Sequence, residues 1–198
     1  MSTRLYACLP WVFFLLGLQA GASAEDEADA VTWQELLPTG WSLDEFHHPI
    51  FDREDLDELD DDDPIALQAM AELLELSRGL PLNQALHGRA GRVPGFMEAL
   101  TETEDGDVLE FILMPFQYGC VHRPPPPSNQ MVHVIPKSPV PAEMLVRIVW
   151  ASGVIEVGHT HFPHASAGYR IRDAEIRRFD PARDRQAMRG MWIGQGLR

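Results

Sequence analysis

Val108-Leu-Glu-Phe-Ile-Leu-Met114 is the most strand-like run in the chain. Apart from Glu110 it is apolar at odd and even positions alike, so it reads as a strand buried on both sides and therefore central in its sheet. Beyond it, Gln130-Met-Val-His-Val-Ile135 reads as a second strand, and Leu145 to Val157 as a long third with Gly153 as its bend. Tyr169 to Phe179 follows, broken by a turn near Arg172-Asp173. Upstream, Arg89-Ala-Gly-Arg-Val-Pro-Gly-Phe-Met97 predicts a strand bent at Pro94-Gly95. Five bent strands with no regular helix between most of them predict a mainly β, α+β protein. The expected architecture is a small five-stranded antiparallel barrel, OB-like in the oligonucleotide/oligosaccharide-binding sense.

Before the strands the pattern is helical. Asp63 is placed to cap a helix opening on Pro64 and running to Arg78, with Gly79 as its stop. Ala66, Met70, Leu73 and Leu74 recur at helical spacing, so this N-terminal helix is expected to pack on the barrel, its methionine serving as filler. Trp33-Gln-Glu-Leu-Leu-Pro38 predicts a short docked helix, with Trp41 a further apolar anchor. From Asp52 to Asp63 the chain is strongly acidic, but it lacks the glycine and the final glutamate of a helix-loop-helix calcium site. The organisation expected is a leader at 1–24, an acidic extension at 25–63, a helix-plus-barrel domain at 64–179 and a C-terminal tail at 180–198 without periodicity.

Arg4, the apolar run from Leu5 to Leu18 and Ala22-Ser-Ala24 have the order of a cleavable signal peptide, and the run is short for a membrane span. Export to the periplasm as a soluble protein is the expectation. The net charge of −14 becomes one unit more negative once Arg4 is removed. Such a surface repels phosphate backbones and anionic lipid, which argues against nucleic acid as partner and for small cations or a basic protein. Of the two cysteines Cys8 lies in the leader, so Cys120 has no internal disulfide partner in the mature chain.

Cys120 belongs to Gly119-Cys-Val-His-Arg-Pro-Pro-Pro-Pro-Ser-Asn-Gln130, where four prolines impose an extended, stiff connector. Cys120 and His122 sit two apart, which in extended backbone directs both to one face and suits zinc or copper. Two donors do not complete a structural zinc site. His133 is the nearest further candidate, although a simple hairpin register would turn it away. Cys120 is also readable as a buried structural thiol, the leading alternative to a metal ligand, or as a redox or nucleophilic group. A second candidate cluster is His159-x-His161-x-x-His164, expected on a loop between the last two strands; His47-His48 is weaker. No phosphate-cradling glycine loop, Ser-His-Asp arrangement or paired carboxylates are visible.

These motifs resemble an uncharacterised bacterial family, domain of unknown function 3299. The resemblance rests on Arg92-Val-Pro-Gly-Phe96, Glu110-Phe-Ile-Leu-Met-Pro-Phe116 and above all Gly119-Cys-x-His-x-Pro-Pro-Pro-x-x-Asn-Gln130. Val146 to Val157 and Gly168-Tyr169 fit the later strands, so that residues 80–178 are covered. The family implies small exported proteins or lipoproteins, an envelope location and an association with transporter components linked to metal homeostasis. It also implies that a shared site includes Cys120, His122, Pro124, Pro125, Pro126, Asn129 and Gln130; the histidines at 159, 161 and 164 fall outside the signature.

The function expected is therefore an exported, non-enzymatic binding or accessory protein handling zinc or another soft cation beside an envelope transporter component. Metal ligands would come from Cys120, His122, His133, His159 and His161, with Pro124, Pro125, Pro126, Asn129 and Gln130 as binding residues. The alternatives are a thiol-dependent enzyme or redox protein using Cys120 and His122, or a pure interaction module that docks through its proline loop.

Overall fold

Five strands carry the fold: β1 (Ala90–Glu102), β2 (Val108–Met114), β3 (Val132–Pro136), β4 (Ile148–His161) and β5 (Ser166–Arg178). The computed structural model describes residues 29–47, 49–52, 60, 62–117 and 126–191. The leader expected at 1–24, residues 53–59 and 61 of the acidic run, Cys120, His122, Pro124, Pro125 and residues 192–198 of the tail lie outside the described residues.

The protein is α+β, with few helices and one sheet that closes into a ring in the order β1-β2-β3-β5-β4. β1 makes the closure. Its first half pairs with β4, from Ala90 opposite Val154 to Phe96 opposite Ile148, and its second half pairs with β2. At the crossing a Cβ on Gly95 would lie 2.6 Å from the Met114 carbonyl oxygen, so only glycine lets β2 approach there.

An all-antiparallel barrel was the expectation, and one pair departs from it: β3 and β5 run parallel. The reason is topological. Strand direction cannot alternate all the way round a closed ring with an odd number of strands, so one seam must be parallel, and it falls where β5 returns past β4 to meet β3. The turn expected near Arg172-Asp173 is also absent, since β5 runs through it. Asp173 takes a left-handed backbone conformation, φ 49°, as the β4–β5 register shifts, so the turn signal is absorbed as a bulge.

β2 is buried on both sides, as its composition requires. Phe111 and Leu113 join the main core, which includes Val93, Val134, Val149, Ala151, Ile155, Tyr169 and Ile171. Ile112 and Met114 join a second cluster with Met131 and Ala167.

Helix α1 (Trp33–Leu36) opens with a capping box between Thr32 and Glu35. Val31, Trp33 and Leu36 belong to the main core, and the chain before the helix is bonded to β1, Val31 N–H to the Arg92 carbonyl and Arg92 N–H to that of Asp29. Helix α2 (Pro64–Ser77) is capped by the Asp63 carboxylate, which accepts from the Ile65 and Ala66 amides at 2.8 and 3.3 Å. Leu73 of α2 packs with Phe46, Leu80 and Trp41 in a small separate cluster, while Met70 and Leu74 are half-buried. The helix expected to pack on the barrel therefore rests on its own cluster, and α1 contributes to the core of the ring. In the tail, whose sequence shows no periodicity, helix α3 (Arg185–Met191) places Met191 in the main core.

Candidate functional site

Ser128-Asn129-Gln130 forms a single buried 3-10 turn at the entrance to β3, preceded by the buried Pro126 and Pro127. Ser128 N–H donates to Ser77 Oγ at 2.7 Å, and Ser128 Oγ donates to the Ser77 carbonyl. Asn129 Nδ2 donates to the Pro81 carbonyl at 3.4 Å, and Gln130 Nε2 to the carbonyls of Trp33 at 2.9 Å and Asn129 at 2.8 Å. On the other side of the turn, a Cβ on Gly168 would lie 2.8 Å from the Ser128 carbonyl oxygen. Tyr169 follows, fully buried; its hydroxyl donates to the Leu36 carbonyl and accepts the Asn83 amide at 2.8 Å. Burial pushes the Tyr169 hydroxyl up to about 12, partly opposed by the Asn83 amide. The chain at 77–83 thus clamps the end of the proline segment against β5 almost wholly through backbone groups.

The same stretch holds a histidine. His159 Nε2 lies 3.0 Å from the Leu80 carbonyl, which makes Nε2 the donor and Nδ1 the lone-pair nitrogen. Nδ1 is buried and has no hydrogen-bond partner among the described residues, as is true of Asn129 Oδ1. Burial lowers the His159 pKa, the Leu80 carbonyl works against that shift, and the neighbouring His161 adds to it. The His161 ring stacks on His159 at 5.9 Å between centroids, with its own Nδ1 2.8 Å from Ser166 Oγ. Both histidines lie on β4 rather than in a loop; His164 is in the connection to β5 and exposed.

His133 lies in a different setting, a polar network that touches all five strands. Its Nε2 is 2.5 Å from Glu110 Oε1 on β2, and Thr101 on β1 donates to the other Glu110 oxygen at 3.1 Å. Arg170 on β5 donates through Nε to His133 Nδ1 at 3.2 Å and reaches Glu156 and Thr160 on β4. The Phe162 ring meets the imidazole edge-on at 5.1 Å. Burial lowers the His133 pKa; Glu110 opposes this by hydrogen bond and charge, while Arg170 and Arg172 add to it. Both ring nitrogens are engaged, so His133 presents no free lone pair.

The structure thus brings His159, with His161 stacked on it, to the stretch of chain that anchors Asn129, and it sets His133 apart. Asn129 and Gln130 tie the fold together through backbone carbonyls. Among the described residues, no group of three or more His, Cys, Asp or Glu side chains is placed to hold a metal ion. The roles of Leu80, Pro81 and Trp33 as carbonyl acceptors had no sequence signal, because any residue type supplies a carbonyl. Glu110 did have one, as the lone charge in an apolar strand.

Residues 33–178 match the family described as proteins of unknown function, DUF3299. The chain belongs to that family. A solved DUF3299 protein from Pseudomonas aeruginosa PAO1 is 28% identical, with a TM-score of 0.57; the match covers 77% of this chain and 97% of that one. No curated protein matches the chain. The DUF3299 match begins at Trp33, upstream of the 80–178 stretch that carried the resemblance, in keeping with the burial of α1 in the ring. Among the described residues no helix is long and apolar enough to cross a membrane.

Proposed function

We propose that this DUF3299 protein is an exported, non-enzymatic binding or accessory protein of the periplasm, working beside an envelope transporter component. In this reading its ring is an OB-like barrel, and Cys120 and His122 hold a soft cation, zinc by the chemistry of thiolate and imidazole, with His159 as a third donor. One observation carries the reading: His159 is anchored through Nε2 on a backbone carbonyl and keeps a buried Nδ1 with no hydrogen-bond partner among the described residues. That is how a metal-ligating imidazole is ordinarily oriented. Leu80 holds this histidine and Pro81 holds Asn129, so one stretch of chain anchors both His159 and the described flank of the Cys-His-Pro segment. The acidic surface fits a cation-handling protein better than a nucleic-acid partner.

Zinc titration of the purified protein by calorimetry tests this. Wild type should bind, and the Cys120→Ser, His122→Ala double variant should lose most of the affinity. His159→Phe should weaken binding more than His164→Ala does. Affinity should fall with pH, as protons compete for both donor types. Identical isotherms for wild type and the double variant would overturn the proposal, and a zinc-indifferent Cys120 that alkylates rapidly at neutral pH would favour thiol chemistry instead.

A further inference from the structure

Charge is divided unevenly along the chain. Residues 170–198 hold eight of its 16 basic side chains and four of its 30 acidic ones, so a positive end closes a chain of net charge −14. The fold gathers the described part of this end at one corner of the ring. The Phe179 N–H donates to the Ile148 carbonyl at 3.0 Å, so Arg178 and Arg147 each precede one end of that hydrogen bond. Arg177 reaches Asp184 through both terminal nitrogens at 3.3 Å, which pins Arg183 and Arg185, at the start of α3, beside the end of β5.

The carboxylates around this corner are largely spent on the fold. Asp184 accepts from the Asp180 amide at 2.8 Å and from Arg177, with Arg183 at 3.7 Å. Asp180 holds the turn by accepting the Ala182 amide at 2.9 Å, and Glu175 pairs with Lys137 at 3.5 Å. Glu143 lies exposed in the turn before β4. Arg147, Arg178 and Arg185 are exposed too, and among the described residues no carboxylate pairs with them, in a chain with almost twice as many acidic as basic side chains. Helix stability does not account for Arg185, which opens α3 at the end where a cation is unfavourable. Next to Arg147, Val146 is 73% exposed, more than any other large apolar side chain among the described residues. An apolar side chain set among unpaired arginines suits a protein segment that is acidic and carries an apolar residue of its own.

We propose that this corner docks an acidic segment of a partner protein, whose carboxylates pair with Arg147, Arg178 and Arg185 and whose apolar residue covers Val146. A short segment meets only this corner. A bilayer of anionic lipid, or a second copy of net charge −14, would instead bring an extended negative surface against the acidic remainder of the molecule. Fluorescence anisotropy and backbone amide spectra of the purified protein test the assignment. The probe is a blocked peptide of glutamates interrupted by leucines, with its glutamine and lysine counterparts as controls. The glutamate peptide should bind saturably, shift the amides at 146–148, 178 and 183–185, and weaken steeply with added salt, whereas the counterparts should not bind. Arg178→Glu combined with Arg185→Glu should weaken binding about tenfold or more. Val146→Ser should weaken it severalfold, and neither variant should move the thermal midpoint much, since all three side chains are exposed. The Cys120→Ser, His122→Ala variant should bind the peptide as wild type does, which separates this surface from the cation site. No saturable binding, equal binding of the lysine peptide, amide shifts clustered elsewhere, or full affinity in the double-charge variant would overturn the proposal. So would phosphatidylglycerol vesicles captured through the same arginines, or a salt-sensitive dimer in sedimentation that the double-charge variant dissolves, because the occupant would then be lipid or a second copy.

Discussion

His133 is buried and His159 half-buried on one sheet, and both have pKa values lowered by burial, yet they are built for different ends. Around His133 each ring nitrogen meets a charged side chain, Glu110 on one side and Arg170 on the other, and the network continues across the ring to Glu156. Around His159, among the described residues, the ring bonds to a backbone carbonyl and its second nitrogen is left buried without a partner. A closed network of this kind stabilises, because every member would be costly to leave unpaired. An anchored imidazole with one unspent lone pair contributes little to stability and is available to a ligand. Proximity in sequence to a motif therefore says less about a histidine's role than whether its second nitrogen is already used.

Three measurements sharpen or break this contrast. The largest effect should come from His133→Phe, which strands Glu110 and Arg170 at a partly buried site; urea unfolding should show a loss of about 2–3 kcal/mol. Little loss would mean the network is ornamental and the two histidines are not distinct. Next comes pH. Both histidines have folded pKa values below the ordinary 6.5, so the unfolded chain takes up protons first as pH falls. Their contribution is fully present above 6.5, is lost as pH falls through the lowered folded values, and then levels off. Stability measured across that window should decline on acidification, and the decline should shrink in His133→Phe. A rise in stability on acidification would reverse the assigned direction. The smallest effect should be that of His159→Phe on folding, about 0.5–1 kcal/mol for one hydrogen bond to a carbonyl, alongside a clear loss in zinc titration. A large loss of stability with unchanged zinc binding would make His159 a structural residue like His133.

Much of the architecture was legible. The two-sided apolar run at 108–114 and the Asp63-Pro64 helix start each depend on local chemistry: pattern, and a cap side chain beside a proline. The burial of α1 was less visible, because the acidic stretch after it made residues 25–63 look like one peripheral segment. Trp33 and Leu36 belong to the main core all the same. Asn129 and Gln130 looked like binding residues, since their amides are polar and sit in a motif. What they hold is the backbone of Trp33, Pro81 and Asn129.

The order of polar and apolar residues along the chain was enough to specify strands and caps, because those answer to neighbours a few residues away. The parallel seam between β3 and β5 came only with closure, since a ring of five cannot alternate throughout. Which imidazole keeps a nitrogen without a partner among the described residues likewise depends on groups 23 to 79 residues distant. Those pairings exist only once distant segments pack, because a donor is satisfied or left open by whatever the fold brings within about 3 Å of it.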